Sequence, residues 1–263
     1  MRRGANRRSY VVTDNERDLA AGLWSPPRRV LGIQASPRGA KGATERLYRA
    51  LVKGLERAGA AVETVHLGEL KAEACRGCFR CWQDEGDDCR IHDDLTGLLT
   101  RMPTYDLMVW ASPVYVDAPP AQLKCLIDRM MVLNHPAIVD QEGAWLHPCR
   151  HPRLPNLVLL AVCGFWGVEN FTFIETYARA AARHQHTPLL ASLLRPESLS
   201  MMNPASRPAL ARVMEALERA GVELVNQGKV GPETAQAISQ PLLSRDEYLE
   251  LAARWWQPKG GKA

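Results

Sequence analysis

Four cysteines within a stretch of fifteen residues are the feature of this chain that most clearly implies chemistry. Cys75, Cys78, Cys81 and Cys89 are spaced C-x2-C-x2-C-x7-C. Thiolates this close in sequence are poorly explained as four separate core positions, and the short intervals let one length of backbone wrap a metal ion or an iron–sulfur cluster. The cysteine loop, defined as residues 75–89, therefore indicates a metal or redox centre.

Four states of the cysteine loop are compatible with its spacing: an iron–sulfur cluster, a structural zinc ion, a redox disulfide pair and unoccupied thiols. Bacterial ferredoxins use C-x2-C-x2-C-x3-C-P, in which the fourth thiolate serves another cluster. Here the last interval is seven residues and no proline follows Cys89, which favours one self-contained [4Fe–4S] cluster. Zinc sites more often pair two C-x2-C halves across a longer separation.

Acidic side chains crowd the last interval of the loop, namely Asp84, Glu85, Asp87 and Asp88. Negative charge beside a cluster opposes the addition of an electron and would lower its reduction potential. A solvated acidic surface accounts for these residues equally well.

The remaining cysteines and histidines show no catalytic pattern. Cys125 and Cys163 lie in apolar runs, where cysteine commonly behaves as a small buried hydrophobe. The sequence contains no H-E-x-x-H zinc motif and no G-x-S-x-G nucleophile elbow. These absences argue against a hydrolase of either type.

The first candidate binding loop, residues 36–44, lies between an apolar run and a stretch with leucines at four-residue spacing, which predicts strand, loop and helix. The hydroxyls of Ser36 and Thr44, the backbone N–H groups and the helix dipole suit a phosphate, and Arg38 can add a forked hydrogen bond. Neither G-x-G-x-x-G nor G-x4-G-K-[ST] occurs, which favours a mononucleotide phosphate. A plain βα turn is the competing interpretation.

Two further loops follow predicted strands and carry aromatic rings. The first contains Ser112, Pro113, Val114 and Tyr115, whose backbone and ring suit the edge and face of a flat heterocycle. Gly164 opens the second, Gly-Phe-Trp-Gly, at the end of the next strand. A proline turn with a packed tyrosine and a hydrophobic lid are the corresponding structural interpretations.

Strands and helices alternate along the middle of the chain. Apolar runs predict strands at residues 30–35, 61–67, 106–112, 157–163 and 189–194, and helical periodicity predicts intervening helices that begin near 44, 94, 121 and 168. Parallel strands need crossover connections, which these helices supply. The sequence therefore predicts an α/β fold, a doubly wound five-stranded parallel sheet covered by helices on both faces.

Two extensions flank this predicted domain at residues 29–200. Residues 1–28 form an N-terminal extension, and residues 201–263 form a C-terminal extension with amphipathic helices at 208–227 and 246–256. The apolar faces of these two helices pack either on the body of the chain or in a tryptophan-rich subunit interface.

Composition excludes several classes of protein. The net charge of +4 is small beside 33 basic and 29 acidic side chains, and no basic run is interleaved with aromatics, so we expect no nucleic-acid partner. The longest apolar run is far shorter than the roughly 20 residues that span a bilayer. The paired arginines near the start are not followed by an apolar signal segment, so the seven cysteines are expected as thiols or metal ligands in the cytoplasm.

A series of short motifs follows in a fixed order along the chain: Gly32, Ala35 to Arg38, Thr44, Cys75-x-Gly77-Cys78-x-x-Cys81-Trp82, Asp93-Asp94, Ser112 to Tyr115, Leu123-Lys124 and Asp128-Arg129. Their order resembles the NAD(P)H-dependent FMN reductase-like proteins of the flavodoxin-like fold, and the cysteine loop resembles the compact cluster motif of the iron–sulfur flavoproteins.

The resemblance implies a place for each part of a bound FMN. Ser36, Arg38 and Thr44 would hold the phosphate, and residues 113–115 would contact the isoalloxazine ring, with Ser112 and Gly164 beside them. One departure is Ala43, where the family usually offers an asparagine. The resemblance also implies a homo-oligomer with FMN near a subunit boundary.

These observations predict an FMN-dependent oxidoreductase without a dedicated catalytic acid or base. Electrons would come from NAD(P)H or from a ferredoxin-like partner through a [4Fe–4S] cluster, and would pass to a small acceptor. The alternative is a non-catalytic FMN-binding electron carrier or regulatory flavoprotein, with the cysteine loop vacant or holding structural zinc.

Overall fold

The computed structural model describes residues 24–83, 88–141 and 143–255. A parallel five-stranded sheet with the order β2-β1-β3-β6-β7 forms its centre, and β4 and β5 form a separate antiparallel hairpin. The strands are β1 (Arg29–Gln34), β2 (Ala61–His66), β3 (Leu107–Pro113), β4 (Val139–Gln141), β5 (Ala144–Leu146), β6 (Asn156–Val162) and β7 (Leu189–Arg195). The predicted doubly wound α/β fold is confirmed.

Helices cover both faces of this sheet. They are α1 (Ala43–Arg57), α2 (Arg80–Gln83), α3 (Asp94–Arg101), α4 (Ala121–Arg129), α5 (Thr172–His184), α6 (Arg207–Gln227), α7 (Pro232–Ser239) and α8 (Arg245–Trp255). Side chains of α3, α4 and α5 join the core on one face, and side chains of α1, α6 and α7 join the core on the other. No helix in the described residues is long and apolar enough to cross a bilayer.

Strand β3 shows why the apolar runs predict the sheet so well. Met108 and Trp110 belong to the core on one face, while Leu107, Val109 and Ala111 belong to the core on the other. A strand buried on both faces needs an unbroken apolar sequence, because neither set of alternating side chains reaches water.

The predicted boundaries differ from the observed ones where short 3₁₀ turns adjoin helices. The helix expected over residues 121–133 ends at Arg129 and continues as the 3₁₀ turn Met130–Leu133. The helix expected from residue 168 begins at Thr172, after the 3₁₀ turn Glu169–Phe171. The hairpin of β4 and β5 was not predicted, because three-residue strands give too little alternation to recognise.

The first C-terminal helix packs on the body of the chain. Residues on its apolar face, including Val213, Leu217 and Leu224, are fully buried. A Cβ on Gly54 of α1 would lie 1.9 Å from the backbone oxygen of Glu218 in α6. The two helices can approach so closely because Gly54 has no side chain, and this contact fixes the C-terminal extension to the sheet domain.

Helix α8 behaves differently from α6. Leu249, which we expected on a buried apolar face, is 51% exposed, and its neighbour Tyr248 is buried instead. Trp256 of the predicted face lies outside the described residues. Within the chain, Tyr248 rather than Leu249 packs on the body of the protein, and the alternative of a subunit interface for the predicted apolar face of α8 stays a prediction.

Replacing Gly54 by alanine should therefore destabilise the protein. Overpacked interiors commonly lose about 1–3 kcal/mol, and the clash here is with backbone, so we expect a loss at the upper end of that range in urea unfolding. Gly97→Ala is the matched control, because Gly97 is an exposed helical glycine whose added Cβ meets only Arg101 Nη1 at 3.6 Å. That change should be neutral or stabilise by up to about 1 kcal/mol. Equal free energies of unfolding for the two variants would contradict the close packing of α1 and α6.

Candidate functional site

The three loops singled out from the sequence lie at one edge of the sheet. Strands β1, β3 and β6 are direct neighbours, and each is parallel to the next. The loops that follow their carboxyl ends begin at residues 35, 114 and 163. In open α/β sheets, ligands bind outside the carboxyl ends of the strands where the strand order reverses. That reversal falls between β1 and β3 here, so the fold brings the predicted phosphate loop and ring loop together.

Hydrogen bonds within the first loop give it a defined shape. The Ser36 amide donates to Gln34 Oε1 at 2.5 Å, and Ser36 Oγ accepts from the Arg38 amide at 3.2 Å. The amides of Gly39 and Gly42 then donate to the carbonyls of Ser36 and Gly39, respectively. Ser36 is buried and Arg38 is exposed, so the loop encloses the hydroxyl and leaves the guanidinium at the surface.

The start of α1 has the properties of an anion site. Its N-cap residue, Gly42, supplies no side-chain cap, and a Cβ there would lie 2.9 Å from Ser36 Oγ. Thr44 is buried in the first turn, and Gln34 Nε2 is a buried donor without a partner among the described residues. Uncapped backbone N–H groups, hydroxyls and the positive end of the helix dipole together fit a phosphate.

The second loop buries its start and exposes its aromatic residue. Ser112 and Pro113 are buried, Val114 is half-buried and Tyr115 is 45% exposed. Ser112 Oγ donates to the carbonyl of Pro113 at 2.8 Å. The Ser112 donor is therefore engaged within the chain, as is the amide of Val114, which donates to the Val162 carbonyl, whereas the Tyr115 ring remains accessible.

A strained turn closes this second loop. Tyr115 and Ala118 exchange two backbone hydrogen bonds of 3.0 and 3.1 Å. Val116 and Asp117 between them have φ values of 50° and 59°. A β-branched residue in the left-handed region is costly, and strain of this kind is concentrated at ligand sites. Val116 is also fully exposed, so burial of its side chain does not explain the conformation.

The third loop adds exposed aromatic surface to the same edge. Gly164 is exposed, and Phe165 and Val168 are 60% and 42% exposed. Gly167 has a φ of 90°, a conformation that favours glycine. The eight residues predicted to contact FMN thus lie on the three neighbouring loops or on the ends of the strand and helix that adjoin them: Ser36, Arg38, Thr44, Ser112, Pro113, Val114, Tyr115 and Gly164.

The four thiols of the cysteine loop are free and lie near the surface. Cys75 and Cys78 are exposed, and Cys81 and Cys89 are half-buried. Burial raises the pKa of the Cys81 thiol, and the neighbouring Cys89, Cys78 and Cys75 thiolates raise it further. The Cys81 thiol thus lies within electrostatic reach of the other three.

Within the described ranges, no three His, Cys, Asp or Glu side chains are already arranged as ligands of a metal ion. Thiolates that repel one another assemble only when a cation or a cluster offsets that repulsion, so metal binding is coupled to ordering of the ligands. The acidic residues Asp84, Glu85 and Asp87 lie outside the described residues, while Asp88 is exposed. A proximate but unassembled set of thiols is compatible with the predicted cluster and with its alternatives.

One side of the cysteine loop is fixed to the start of α3. Asp93 is the N-cap of this helix, as predicted, and its Oδ2 accepts from the Glu73 amide at 2.8 Å. Asp94 Oδ2 accepts from the Lys71 amide at 2.7 Å. The chain that enters the loop is therefore joined to the chain that leaves it.

Arg129 completes this junction from α4. Its side chain is fully buried, and Nη1 donates to Asp93 Oδ2 at 2.6 Å and to the Glu73 carbonyl at 3.3 Å. Nη2 donates to the Ile91 carbonyl at 2.8 Å. Burial lowers the pKa of Arg129, but the hydrogen bond to Asp93 and the adjacent Cys89 thiolate raise it above its usual value. Arg129 thus supplies a permanent positive charge beside one predicted ligand.

The other side of the loop rests on the segment after α4. Trp82 Nε1 donates to the Met131 carbonyl at 3.2 Å, and the Trp82 ring lies 4.6 Å from the His147 ring. Arg150 Nη2 donates to the Cys81 carbonyl at 2.8 Å. Sequence reasoning noted Trp82 and Arg129 as parts of a motif without giving them a role, and it missed Arg150, because bonds to distant backbone carbonyls leave no pattern in the sequence.

A fifth cysteine also lies against the loop. Cys125 is half-buried and packs against the core, and its Sγ donates to the Glu73 carbonyl at 3.1 Å. Cys163, in contrast, is buried as expected. Cys89 borders a cavity of about 130 Å³ that is also lined by Thr96, Leu133 and His151, so there is open space beside this predicted ligand.

The fold defines a flavodoxin-like protein, and comparisons with known proteins agree. Residues 28–146 match the family model described as NADPH-dependent FMN reductase. The FMN-dependent NADH-azoreductase of Bacillus anthracis, solved in complex with FMN, superposes with a TM-score of 0.57 at 12% identity over 76% of this chain and 100% of that chain. At that identity the likeness shows the fold.

Curated relatives are more similar in sequence. An iron–sulfur flavoprotein of Archaeoglobus fulgidus is 37% identical over 107 residues, which cover 41% of this chain and 47% of that protein. An iron–sulfur flavoprotein of Methanocaldococcus jannaschii is 37% identical over 106 residues, which cover 40% of this chain and 53% of that protein. The chain spans about half the length of these relatives. The match of residues 28–146 to the family model and the similarity to these relatives agree with the resemblance to the FMN reductases and iron–sulfur flavoproteins.

Proposed function

We propose that this chain is an FMN-dependent oxidoreductase that transfers electrons from NAD(P)H or a ferredoxin-like donor to a small acceptor. The observation that supports the proposal is the uncapped N-terminus of α1 at the reversal of strand order, where Gly42, Ser36 and Thr44 would bind an anion. The same residues fall in the segment that matches the FMN reductase family.

The residues of the three loops would divide the work of holding FMN. Bound FMN supplies the hydride and electron transfer. The first loop would bind its phosphate through Ser36, Thr44 and backbone N–H groups, with Arg38 at the rim. Val114, Tyr115 and the third loop would contact the ring and limit the access of water. Ala43 removes one side-chain donor that the family usually offers, and Gln34 Nε2 is a buried donor nearby that offsets this loss.

Steady-state oxidation of NADH and NADPH tests this proposal directly. The protein reconstituted with FMN should consume one of the two nucleotides in the presence of a quinone or free flavin as acceptor. Tight FMN binding without any turnover would instead favour the alternative, a non-catalytic electron carrier or regulatory flavoprotein. A chain that does not bind FMN would be incompatible with both.

Thr44→Val should weaken FMN binding by about 10- to 150-fold. The change keeps the shape of the side chain and removes one hydroxyl donor to a charged phosphate, and hydrogen bonds to charged groups contribute about 1.5–3 kcal/mol. Fluorescence quenching of FMN on titration gives the Kd. Thr100→Val is the matched control, because Thr100 lies on α3 and its hydroxyl donates to the Thr96 carbonyl. An unchanged Kd in Thr44→Val would remove this residue from the phosphate site.

We also propose that Cys75, Cys78, Cys81 and Cys89 bind one [4Fe–4S] cluster. Three observations support this: the spacing of the thiols, their electrostatic proximity and the names of the iron–sulfur flavoproteins that are similar in sequence. The hydrogen bonds of Arg129 to Glu73, Ile91 and Asp93 would hold the two stems of the cysteine loop, the segments just before Cys75 and just after Cys89, in place. The cluster would then draw the four thiolates together. Iron, acid-labile sulfide and zinc counts after anaerobic purification distinguish a cluster from structural zinc, a disulfide pair and vacant thiols.

The partners in this proposal follow from the same site. A ferredoxin-like donor would deliver electrons through the cysteine loop, whereas NAD(P)H would reduce the flavin directly. We propose a homo-oligomer with FMN near a subunit boundary, in a reducing compartment such as the cytoplasm, where free thiols persist. Gel filtration that gives a monomer would contradict the proposed assembly.

A further inference from the structure

The C-terminal extension reaches the edge of the sheet where the three candidate loops lie. Residues 238–248 run from the end of α7 into α8 and pass the carboxyl end of β7. Ser239 Oγ donates to the carbonyl of Leu194 in that strand at 2.9 Å. This segment lies outside the part of the chain that matches the reductase family model.

Two fully buried charges hold the segment in place. Arg195 Nη1 donates to the carbonyls of Ile238 and Gln240, each at 2.8 Å. The carboxylate of Glu197 accepts from the amides of Leu242 and Leu243, each at 3.2 Å. Arg195 and Glu197 also pair at 3.8 Å, and both side chains are 0% exposed. Burial lowers the pKa of Arg195 to about 10, so it stays charged at neutral pH.

Glu197 adopts a conformation that needs support. Its φ is 56°, and the left-handed region is unfavourable for a residue with a side chain. A buried carboxylate is also costly unless it is paired and hydrogen-bonded. The amides of the C-terminal segment and the paired Arg195 together offset the cost of burying this carboxylate, so the end of β7 and this segment are energetically coupled.

The same segment also contacts the third candidate loop from two sides. Tyr248 OH donates to the carbonyl of Gly164 at 2.9 Å, and Trp166 Nε1 donates to the carbonyl of Leu243 at 3.3 Å. The Glu197 amide donates to the carbonyl of Phe165 at 2.8 Å. The backbone of the loop is thus held at successive residues, while the Phe165 ring remains 60% exposed.

The third candidate loop contains two glycines, which restrict its conformation little, so the contacts from the C-terminal segment matter for its position. A Cβ at Gly164 would meet nothing within 4 Å, and Gly167 has a positive φ. Neither residue restricts the loop through a side chain, and glycine has more conformational freedom than any other residue. The position of the exposed ring therefore depends on bonds from outside the loop.

We infer that Tyr248 and Glu197 are positioning residues of the flavin site, which fix residues 164–167 so that Phe165 covers the edge of bound FMN. This inference rests on the proposed function. The C-terminal extension then contributes to flavin binding without a direct contact with FMN. Three measurements report on this contribution: the affinity for FMN, the orientation of the bound ring and the mobility of residues 164–167.

Tyr248→Phe tests the inference with a single missing hydroxyl. We expect the Kd for FMN to rise about fivefold, in line with the loss of one neutral hydrogen bond, and the visible circular dichroism of bound FMN to change. Amide hydrogen exchange at residues 164–167 should be faster in the FMN-free variant. Tyr105→Phe is the matched control. Tyr105 is buried and lies just before β3, at the end of the strand remote from the candidate loops, and its hydroxyl donates a hydrogen bond to the Glu63 carboxylate.

The outcomes separate the inference from the proposed function. Weaker FMN binding in Tyr248→Phe but not in Tyr105→Phe, together with faster exchange of the loop, supports the inference. Equal FMN affinity and exchange in Tyr248→Phe and the unsubstituted protein would overturn it and leave the proposed function intact. Equal weakening in both variants would assign the loss to general destabilisation and would also overturn it. Absence of FMN binding by the unsubstituted protein would overturn the proposed function itself.

Discussion

Cys81→Ser should abolish assembly of the cluster while leaving FMN bound. A hydroxyl is a much poorer ligand for iron than a thiolate, and the three remaining thiolates cannot satisfy a cluster that uses four cysteines. We expect iron and acid-labile sulfide to fall to about a tenth of the unsubstituted protein's content or less, since ligand assembly and cluster binding are coupled. The Kd for FMN should stay within about twofold, because the flavin loops follow different strands.

Cys125→Ser is the matched control for this experiment. Cys125 lies against the same loop and donates to the Glu73 carbonyl, a bond that a serine hydroxyl can also make, but it stands outside the spaced motif. Iron and sulfide should therefore be retained. If Cys81→Ser keeps its full iron and sulfide, the assignment of the four ligands is wrong. Zinc without sulfide in the unsubstituted protein would instead favour a structural metal site.

The sheet and the position of the loops could be predicted because their physical causes are local. Strands buried on both faces require apolar runs, and the alternation of strand and helix requires parallel pairing. Asp93 was predicted as a helix cap because a side-chain acceptor before an apolar helical pattern has a known role. Once the strand order is given, the topology alone brings the loops after β1, β3 and β6 to one edge.

The contacts that position the candidate site could not be predicted in the same way. Arg129, Arg150 and Arg195 each donate to carbonyls of residues that are distant in sequence. A backbone carbonyl is the same group at every position, so the sequence carries no sign of which one a buried guanidinium will reach. The apolar run around Cys125 indicated a buried hydrophobe, and the structure packs it against the core but only half-buried, with a hydrogen bond to the Glu73 carbonyl that the sequence did not indicate.

The two longer C-terminal helices, α6 and α8, differ in how well their packing could be predicted from the sequence. The face of α6 was predicted correctly as a stripe of apolar residues that pack on the chain. Helix α8 is shorter, and its position is determined by the hydroxyl of Tyr248 and by the preceding segment on Glu197. An apolar stripe is thus a good guide to orientation where apolar burial dominates, and a poor one where a few polar contacts determine the position.

Arg129→Met should cause the largest loss of stability among the substitutions considered. Methionine keeps much of the apolar stem but removes every donor, which leaves the Asp93 carboxylate short of its cation and the carbonyls of Glu73 and Ile91 without these bonds. Removing one partner of a buried ion pair commonly costs about 3–5 kcal/mol, because the other charge stays buried and uncompensated. Urea unfolding of the metal-free, reduced protein should show a loss of this size.

Lys124→Met on the same helix is the control, because it removes an exposed ion pair where Arg129→Met removes a buried one. Lys124 pairs with Asp128 at 2.5 Å, a geometry as close as that of Arg129 with Asp93, but the two side chains are 49% and 42% exposed. Exposed pairs contribute only about 0–1 kcal/mol, because water screens and solvates both charges. If Arg129→Met lost no more stability than Lys124→Met, the hydrogen bonds of Arg129 to the two stems of the cysteine loop would not be what holds these stems in place. We instead expect Arg129→Met to lose several kcal/mol more stability than Lys124→Met. Because the measurement uses the metal-free protein, this difference would show that Arg129 joins both stems of the cysteine loop to α4 without the help of a bound metal.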